Sequence, residues 1–449
     1  MLRVAVVGAG PSGVYTAQDL VLQNRVPDVR VHVLDRLPCP YGLVRYGVAP
    51  DHEKIKSLQN SLRAVLEHDR IDFVGHVEIG GSGPGPAELL GLYHAVVYCV
   101  GAARDRRLGI PGEELPGSHS ATDFVSWYSA HPDAAERGFG LAARSAVVIG
   151  AGNVAVDVAR VLAREAAELR PTDVPEGALG ALALSGVREV HMVARRGPSQ
   201  ARFTTKELRE LGSLPAADLL VDPAELALDP AYADGTAAAA LPAAARRNIE
   251  VVRGWAERPA EGRGRCVRLR FFLRPVELLE RDGRVAGVRF ERTVPDGAGG
   301  VRGTGAYEDI GAGLVLRAVG YRGTPLPGLP FDSERGTVPH AAGRVLREGV
   351  PSPGEYVAGW IKRGPTGVIG TNRPCAKETV ASLLDDAAAL TARRVAADPL
   401  AALTAAGQRP VGWPGWEAIV AAETALGSAL GRRSVKIPDW AGLLAAAES

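Results

Sequence analysis

Two stretches of the chain carry residue types at a spacing that binds a dinucleotide. The first is Val4-Ala-Val-Val-Gly8-Ala-Gly10-Pro-Ser12-Gly13, a short apolar strand, a glycine turn and the start of a helix. Gly8 allows the tight turn, Gly10 lets the backbone approach a pyrophosphate, and Gly13 keeps the helix close to the sheet. The anion then sits over amides at the helix N-terminus. The second is Ser145-Ala-Val-Val-Ile-Gly150-Ala-Gly152-Asn-Val-Ala155-Val-Asp157, which repeats the pattern with Ala155 in the third small position. One such motif is weak evidence. Two in one chain imply two dinucleotide sites.

The residues closing the next strand of each repeat differ in charge. Arg30–Leu34 reads as a strand ending at Asp35, and a carboxylate there accepts ribose hydroxyls, which favours FAD or NAD. The alternative is a solvated acid at a strand end. Glu189–Val193 ends instead at Arg195-Arg196, whose guanidinium groups can grip the 2′-phosphate of NADP(H). A solvated basic pair is the competing reading. His52 and Asp157 are the polar pair singled out for relaying a proton or orienting water. A hydrogen-bonded structural histidine and a helix-packing or salt-bridging aspartate remain open for them. Cys39, Cys99, Cys266 and Cys375 share no CxxC or CxxxxC spacing, so no metal site, iron–sulfur cluster or redox disulfide is expected.

These residues must be positioned by a large α/β scaffold. The 449 residues suffice for two or three domains, and 46% hydrophobic residues provide a full core. A net charge of +1 argues against a bulk nucleic-acid binder or a chain held to lipid by its charge. No apolar run is long enough to span a membrane, and no leader pattern is seen, so the expected location is the cytoplasm. Leu37–His52 reads as a structured loop over a cofactor, Glu53–Glu67 as a helix, and Ile71–Val74, Val77–Ile79 and Tyr93–Val100 as strands. Thr122–His131 and Thr204–Leu211 read as helices. Ile249–Arg253, Arg265–Phe272, Val276–Arg281 and Val285–Arg292 read as short strands of an antiparallel excursion. Trp360–Asn372 is a glycine-rich return to a last helix and suits a second contact with the first cofactor. The segment 391–449 has helical character and no recognisable chemistry.

Gly8-Ala-Gly-Pro-Ser-Gly13, Tyr41-Gly-Leu-Val-Arg-Tyr-Gly-Val-Ala-Pro-Asp-His52, Gly150-Ala-Gly-Asn-Val-Ala-Val-Asp157, Arg195-Arg-Gly-Pro-Ser-Gln-Ala-Arg-Phe-Thr204 and Trp360-Ile-Lys-Arg-Gly-Pro-Thr-Gly-Val-Ile-Gly-Thr-Asn372 together resemble ferredoxin–NADP reductases of the adrenodoxin reductase type. The resemblance covers the chain to about residue 385. It implies an α/β fold with two Rossmann-like, three-layer dinucleotide-binding domains, the NADP domain inserted into the FAD domain. The FAD domain would comprise 1–106 and 321–390, the NADP domain 107–320, and 391–449 a C-terminal helical extension. On the resemblance, Ser12, Asp35, Leu43, Ile79, Trp360, Gly367, Val368 and Ile369 contact FAD, with Gly367 near the nicotinamide. Arg106, Asn153, Val154, Arg195, Arg196 and Glu207 bind NADP(H), and His52 and Asp157 match the family's proton-handling pair. Two departures stand out. Asp35 replaces the more frequent glutamate, and Cys39 brings a thiol, either inert or oxidation-prone, between two prolines.

The implied activity is electron transfer between NADP(H) and a ferredoxin-type iron–sulfur protein through FAD, by a monomer or weak dimer that binds no nucleic acid. A related reductase with a quinone, oxygen or another acceptor is the alternative; a nucleotide-binding protein without turnover is the remaining one. Arg202, Lys206 and Arg209 are spaced to share a helix face that would dock the acidic partner, or simply to be solvated.

Overall fold

Apolar strands with β-branched residues on both faces require cover on both sides, and the chain provides it twice. The computed structural model describes residues 1–449, Gly235 by its backbone alone. They form two compact units, one of Met1–Val48, His52–Arg104 and Tyr321–Ser449, the other of Ala49–Asp51 and Asp105–Gly320. The second is thus inserted into the first.

The first unit is built on a seven-stranded sheet in the order His340–Ala341, Arg344–Arg347, Val350–Val357, Ala95–Tyr98, Leu2–Val7, Val29–Leu34, Ile71–Val74. The last five are parallel, with Val4 opposite Val31 and Ala95. Because side chains alternate along a strand, Val4 and Val6 enter one core with Val14, Leu20, Val380 and Leu383, while Ala5 and Val7 enter another with Tyr93, Tyr98 and Leu403. The C-terminal helices Trp413–Ala429 and Trp440–Ala447 place Trp416, Ile419 and Leu443 in the first of these cores. Val77–Ile79, expected as a strand, is an irregular segment, although Val77 and Ile79 are buried.

The second unit has a six-stranded parallel sheet in the order Ser118–Ser120, Leu314–Arg317, Ser145–Ile149, Glu189–Val193, Arg265–Arg270, Ala217–Val221. Helices cover one face. The other is covered by a three-stranded antiparallel sheet, Leu273–Arg281, Arg284–Pro295 and Val301–Gly311, whose Leu278, Val288 and Phe290 pack against Val147, Ile149 and Val315.

Two of the expected strands are corrected here, and one unexpected strand is added. Arg265–Arg270 belongs to the parallel sheet, paired with Glu189–Val193 and Ala217–Val221. Ile249–Arg253 lies within the helix Ala243–Ala256. Its β-branched residues suggest a strand, but Ile249, Val252 and Trp255 are buried at helical spacing, and packing overrides propensity. Val301–Gly311, not anticipated, is poor in apolar residues; the cross-strand pairs Arg289–Asp309 at 2.9 Å and Arg292–Glu308 at 2.5 Å help hold its register.

Candidate dinucleotide-binding sites

The first glycine turn leaves strand Leu2–Val7 with Gly8 at φ +110°, a conformation that side chains rarely adopt, and a Cβ there would lie 2.5 Å from Cys99 O. A Cβ on Gly13 would overlap Gly8 O. Gly10 differs. A Cβ there would meet nothing nearer than Gly42 Cα at 3.9 Å, so the space in front of it is empty of protein. The helix Pro11–Leu22 begins at this point with no capping side chain and no acid in its first turn. Beside it, Ser12 Oγ is buried without a hydrogen-bond partner. An open cradle, uncapped amides and an orphaned hydroxyl fit a dinucleotide pyrophosphate. The fit makes a paired prediction. Gly13→Ala should cost about 1–3 kcal/mol of stability through overpacking. Gly10→Ala should leave the unfolding midpoint of the nucleotide-free protein nearly unchanged yet lower the fraction of dinucleotide retained through gel filtration. Equal destabilisation by both substitutions would refute the cradle.

Asp35 is tied to this turn. Its Oδ2 accepts from Ala9 N at 2.7 Å and its Oδ1 from Leu37 N at 2.9 Å. Burial pushes its carboxyl above the ordinary range, against the opposing pull of those two amides and of Arg36. The loop that follows folds back onto the turn, Tyr41 N donating to Ala9 O at 2.9 Å, and forms the short helix Leu43–Tyr46. Leu43 is exposed there, whereas Ile79 lies in the core. Cys39 is buried, and burial raises its thiol, so the inert reading is favoured over the oxidation-prone one. All four cysteines are free.

The C-terminal part of this unit reaches the same place. Strand Val350–Val357 leads through Ala358 to Gly359, φ +78°, where a Cβ would overlap the Ser12 side chain. Trp360 follows at once, its ring 5.4 Å from that of Tyr321 and its Nε1 buried without a partner. Gly367 and Val368 are exposed, while Ile369 packs on the core. Ser12, Asp35 and Trp360 thus belong to elements that meet at the glycine turn.

The segment without recognisable chemistry supports the loop. Glu423 of helix Trp413–Ala429 forms a two-point ion pair with Arg45, at 2.5 and 3.1 Å, with both side chains 4% exposed. Lys436 Nζ donates to Arg45 O at 2.6 Å, and Ile437 N donates to Glu423 Oε1 at 2.9 Å. Burial works against the charge on Arg45, but Glu423, with Tyr46 and Cys39, outweighs it and holds the guanidinium well above its ordinary pKa. A glutamate inside the apolar run Ile419-Val-Ala-Ala-Glu423 was the available signal.

In the second unit, Gly150 closes strand Ser145–Ile149, and a Cβ on it would overlap Ala318 O. Gly152 has nothing within 4 Å of an added Cβ, and helix Asn153–Ala163 starts there uncapped and without an acid in its first turn. Again an open cradle meets bare amides. Asn153 Oδ1 accepts from Thr204 N at 2.8 Å, and Arg202 N donates to Ala151 O at 2.7 Å. Val154 is half-buried on the first turn of that helix. Glu207 is buried in the first turn of helix Thr205–Leu211, and Arg106 is exposed with its amide bound to Gly320 O at 2.8 Å.

Strand Glu189–Val193 delivers Arg195, exposed, and Arg196, half-buried. Burial first, then the charges of Arg195 and Arg202, hold the Arg196 guanidinium below its ordinary pKa. Among the described residues no carboxylate lies within 4.0 Å of any of these three guanidinium groups. Uncompensated like charges that converge beside an open glycine turn favour a bound anion. The expected docking face is corrected on the same evidence. Arg202 precedes the N-cap Thr204, so it is not on the helix with Lys206 and Arg209, and Lys206 faces Glu210 at 3.7 Å.

Asp157 is engaged by its own helix, its Oδ1 accepting from Arg160 at 2.7 Å. Arg160, 1% exposed, also holds Asp51 at 2.7 Å and Glu210 at 3.4 Å, while Arg164 reaches Asp51 at 3.0 Å. Burial acts to lower the Arg160 pKa, but Asp157, Asp51 and Glu210 raise it further. His52, itself buried, is the residue after Asp51 and stands at the N-cap position of the helix Glu53–Lys56. Arg160 and Asp51 escaped the sequence reading. The signal was an arginine amid the apolar residues of Val156–Leu162.

Two α/β units, each with an open glycine turn at a strand end, one flanked by a carboxylate and the other by arginines, define a flavin- and pyridine-nucleotide-binding oxidoreductase. Residues 2–211 match the family described as pyridine nucleotide-disulphide oxidoreductase. The chain is 47% identical over 392 residues to NADPH-ferredoxin reductase FprA of Mycobacterium tuberculosis, covering 85% of this chain and 83% of that one. It is 41% identical over 402 residues to the mitochondrial NADPH:adrenodoxin oxidoreductase of Arabidopsis thaliana, covering 86% and 82%. The structure of Mycobacterium tuberculosis FprA in complex with NADPH superposes with a TM-score of 0.92 at 43% identity, covering both chains fully. The chain belongs to the NADPH–ferredoxin reductase family.

Proposed function

We propose that the protein is an FAD-containing NADPH–ferredoxin reductase, transferring electrons between NADP(H) and a ferredoxin-type iron–sulfur protein. The observation that carries this reading is the opposite charge beside the two glycine turns, Asp35 in one unit and the unpaired Arg195 and Arg196 in the other. The relatives' names agree with it. FAD, when bound, supplies the exchange between hydride and single-electron chemistry. This chain's residues bind and orient.

The unit of segments 1–106 and 321–390 would hold FAD, with 391–449 packed on it, and 107–320 would hold NADP(H). Gly8, Gly10, Ser12 and Gly13 would receive the FAD pyrophosphate, and Asp35 a ribose hydroxyl. Leu43, Ile79, Trp360, Gly367, Val368 and Ile369 would line the remainder. Gly150, Gly152, Asn153 and Val154 would receive the NADP(H) pyrophosphate, Arg195 and Arg196 its 2′-phosphate, with Arg106 and Glu207 alongside. His52 and Asp157 would handle protons, Asp157 being oriented by Arg160. Among the described residues no helix is long and apolar enough to cross a membrane. A cytoplasmic monomer or weak dimer completes the reading.

The test is an anaerobic titration of the purified protein with NADPH, followed by addition of a ferredoxin. Bound flavin should bleach with NADPH and much less readily with NADH, and ferredoxin should restore its colour. Absence of flavin overturns the reading. Bleaching without ferredoxin reduction retains the donor half and replaces the acceptor.

A further inference from the structure

We propose that Arg202 is a third guanidinium of the 2′-phosphate site and a determinant of NADPH preference; the inference rests on the reading of Arg195 and Arg196 above. Its backbone is pinned to the nucleotide turn, since Arg202 N donates to Ala151 O at 2.7 Å and Thr204 N, two residues on, donates to Asn153 Oδ1 at 2.8 Å. The path between the arginines is equally fixed. A Cβ on Gly197 would run into Asp229 and Phe272, and Asp229 Oδ2 accepts from Ser199 N at 2.8 Å. The next residue, Phe203, is buried in the core. A rigid turn, Pro198–Gln200, thus carries the chain from the strand end back to the glycine turn.

The side chain that emerges there is exposed, and among the described residues it has no acidic partner. Its charge reaches Arg196, where it adds to that of Arg195. Three convergent cations without a counter-ion suit a dianionic phosphate better than a sugar hydroxyl. Docking of an acidic protein on the helix Thr205–Leu211 explains Arg202 less well, because the residue lies outside that helix and is tied to the nucleotide turn.

The experiment compares Arg202→Ala and Arg202→Lys with the unaltered holoenzyme. Calorimetry would measure binding of adenosine 2′,5′-bisphosphate and of adenosine 5′-monophosphate, which differ only in the 2′-phosphate. Steady-state assays would give KM for NADPH, NADH and ferredoxin. Arg202→Ala should weaken the bisphosphate and NADPH about tenfold and leave the monophosphate, NADH and ferredoxin unchanged. Arg202→Lys should recover part of the loss. Equal weakening of both adenosine ligands, or a raised KM for ferredoxin with NADPH unaffected, overturns the inference. Arg195→Ala serves as reference. If it discriminates between the two ligands and Arg202→Ala does not, only this inference falls; if neither discriminates, the NADP(H) reading falls with it.

Discussion

Replacing Arg195 and Arg196 together with alanine is expected to raise KM for NADPH by about two to three orders of magnitude and to leave that for NADH within a few-fold. A charge-assisted hydrogen bond contributes about 1.5–3 kcal/mol, and two guanidinium groups can engage one phosphate from two sides. Arg195 is exposed and Arg196 half-buried, so solvent screening places the outcome toward the lower end. Neither side chain holds a carboxylate among the described residues, so their removal breaks no internal ion pair. It also relieves the repulsion that, after burial, helps hold the Arg196 guanidinium below its ordinary pKa. The unfolding midpoint of the double variant should therefore hold or rise. Comparable losses with NADPH and NADH, together with a lowered midpoint, would assign the pair to folding.

The second large effect is expected far along the sequence from either glycine turn. Glu423→Ala should destabilise the protein by about 3–5 kcal/mol, because it leaves the buried Arg45 cation without its partner. Near Arg45 lie also the rings of Tyr46 and Trp416, each centred 5.0 Å away, and the Cys39 thiol, none of which replaces that carboxylate. Since the Arg45 helix continues the loop bound to Ala9 O, FAD retention should fall as well. Replacing both partners with leucine and methionine, Glu423→Leu with Arg45→Met, should recover most of the stability, since a buried pair exchanged for apolar residues of similar volume is often neutral. Chemical denaturation of the two variants beside the unaltered protein decides the matter. A harmless Glu423→Ala would show that the pair is solvated in solution.

The two predictions differ in how visible their residues are in the chain. Arg195 and Arg196 stand at the end of an apolar strand within a repeated motif, so local pattern alone marks them. Glu423 and Arg45 are 378 residues apart, and each is unremarkable beside its own neighbours. The same holds for Arg160, whose importance depends on Asp51 reaching it from 109 positions away. Strand Arg265–Arg270 was legible as a strand but not as a parallel one, because its alternation does not specify its neighbours. Helix Ala243–Ala256 was misread at Ile249–Arg253, where β-branched residues conceal a helical face. Arg202 was read from helical spacing, which fails because the helix begins after it.

Both glycine turns and the charge placed beside each are local properties of the chain, because strand, turn and helix start are contiguous and their geometry depends on residues within a few positions. Gly8, Gly13 and Gly150 are dictated by backbone atoms that a Cβ would strike. Which distant side chains support the two turns depends on how the folded chain packs. Burial turns Glu423 into the anchor of Arg45 and Arg160 into the hub of Asp51, Asp157 and Glu210. A rigid turn brings Arg202 back to the nucleotide loop. Desolvation gives such long-range charges their strength, and it arises only when the fold closes around them.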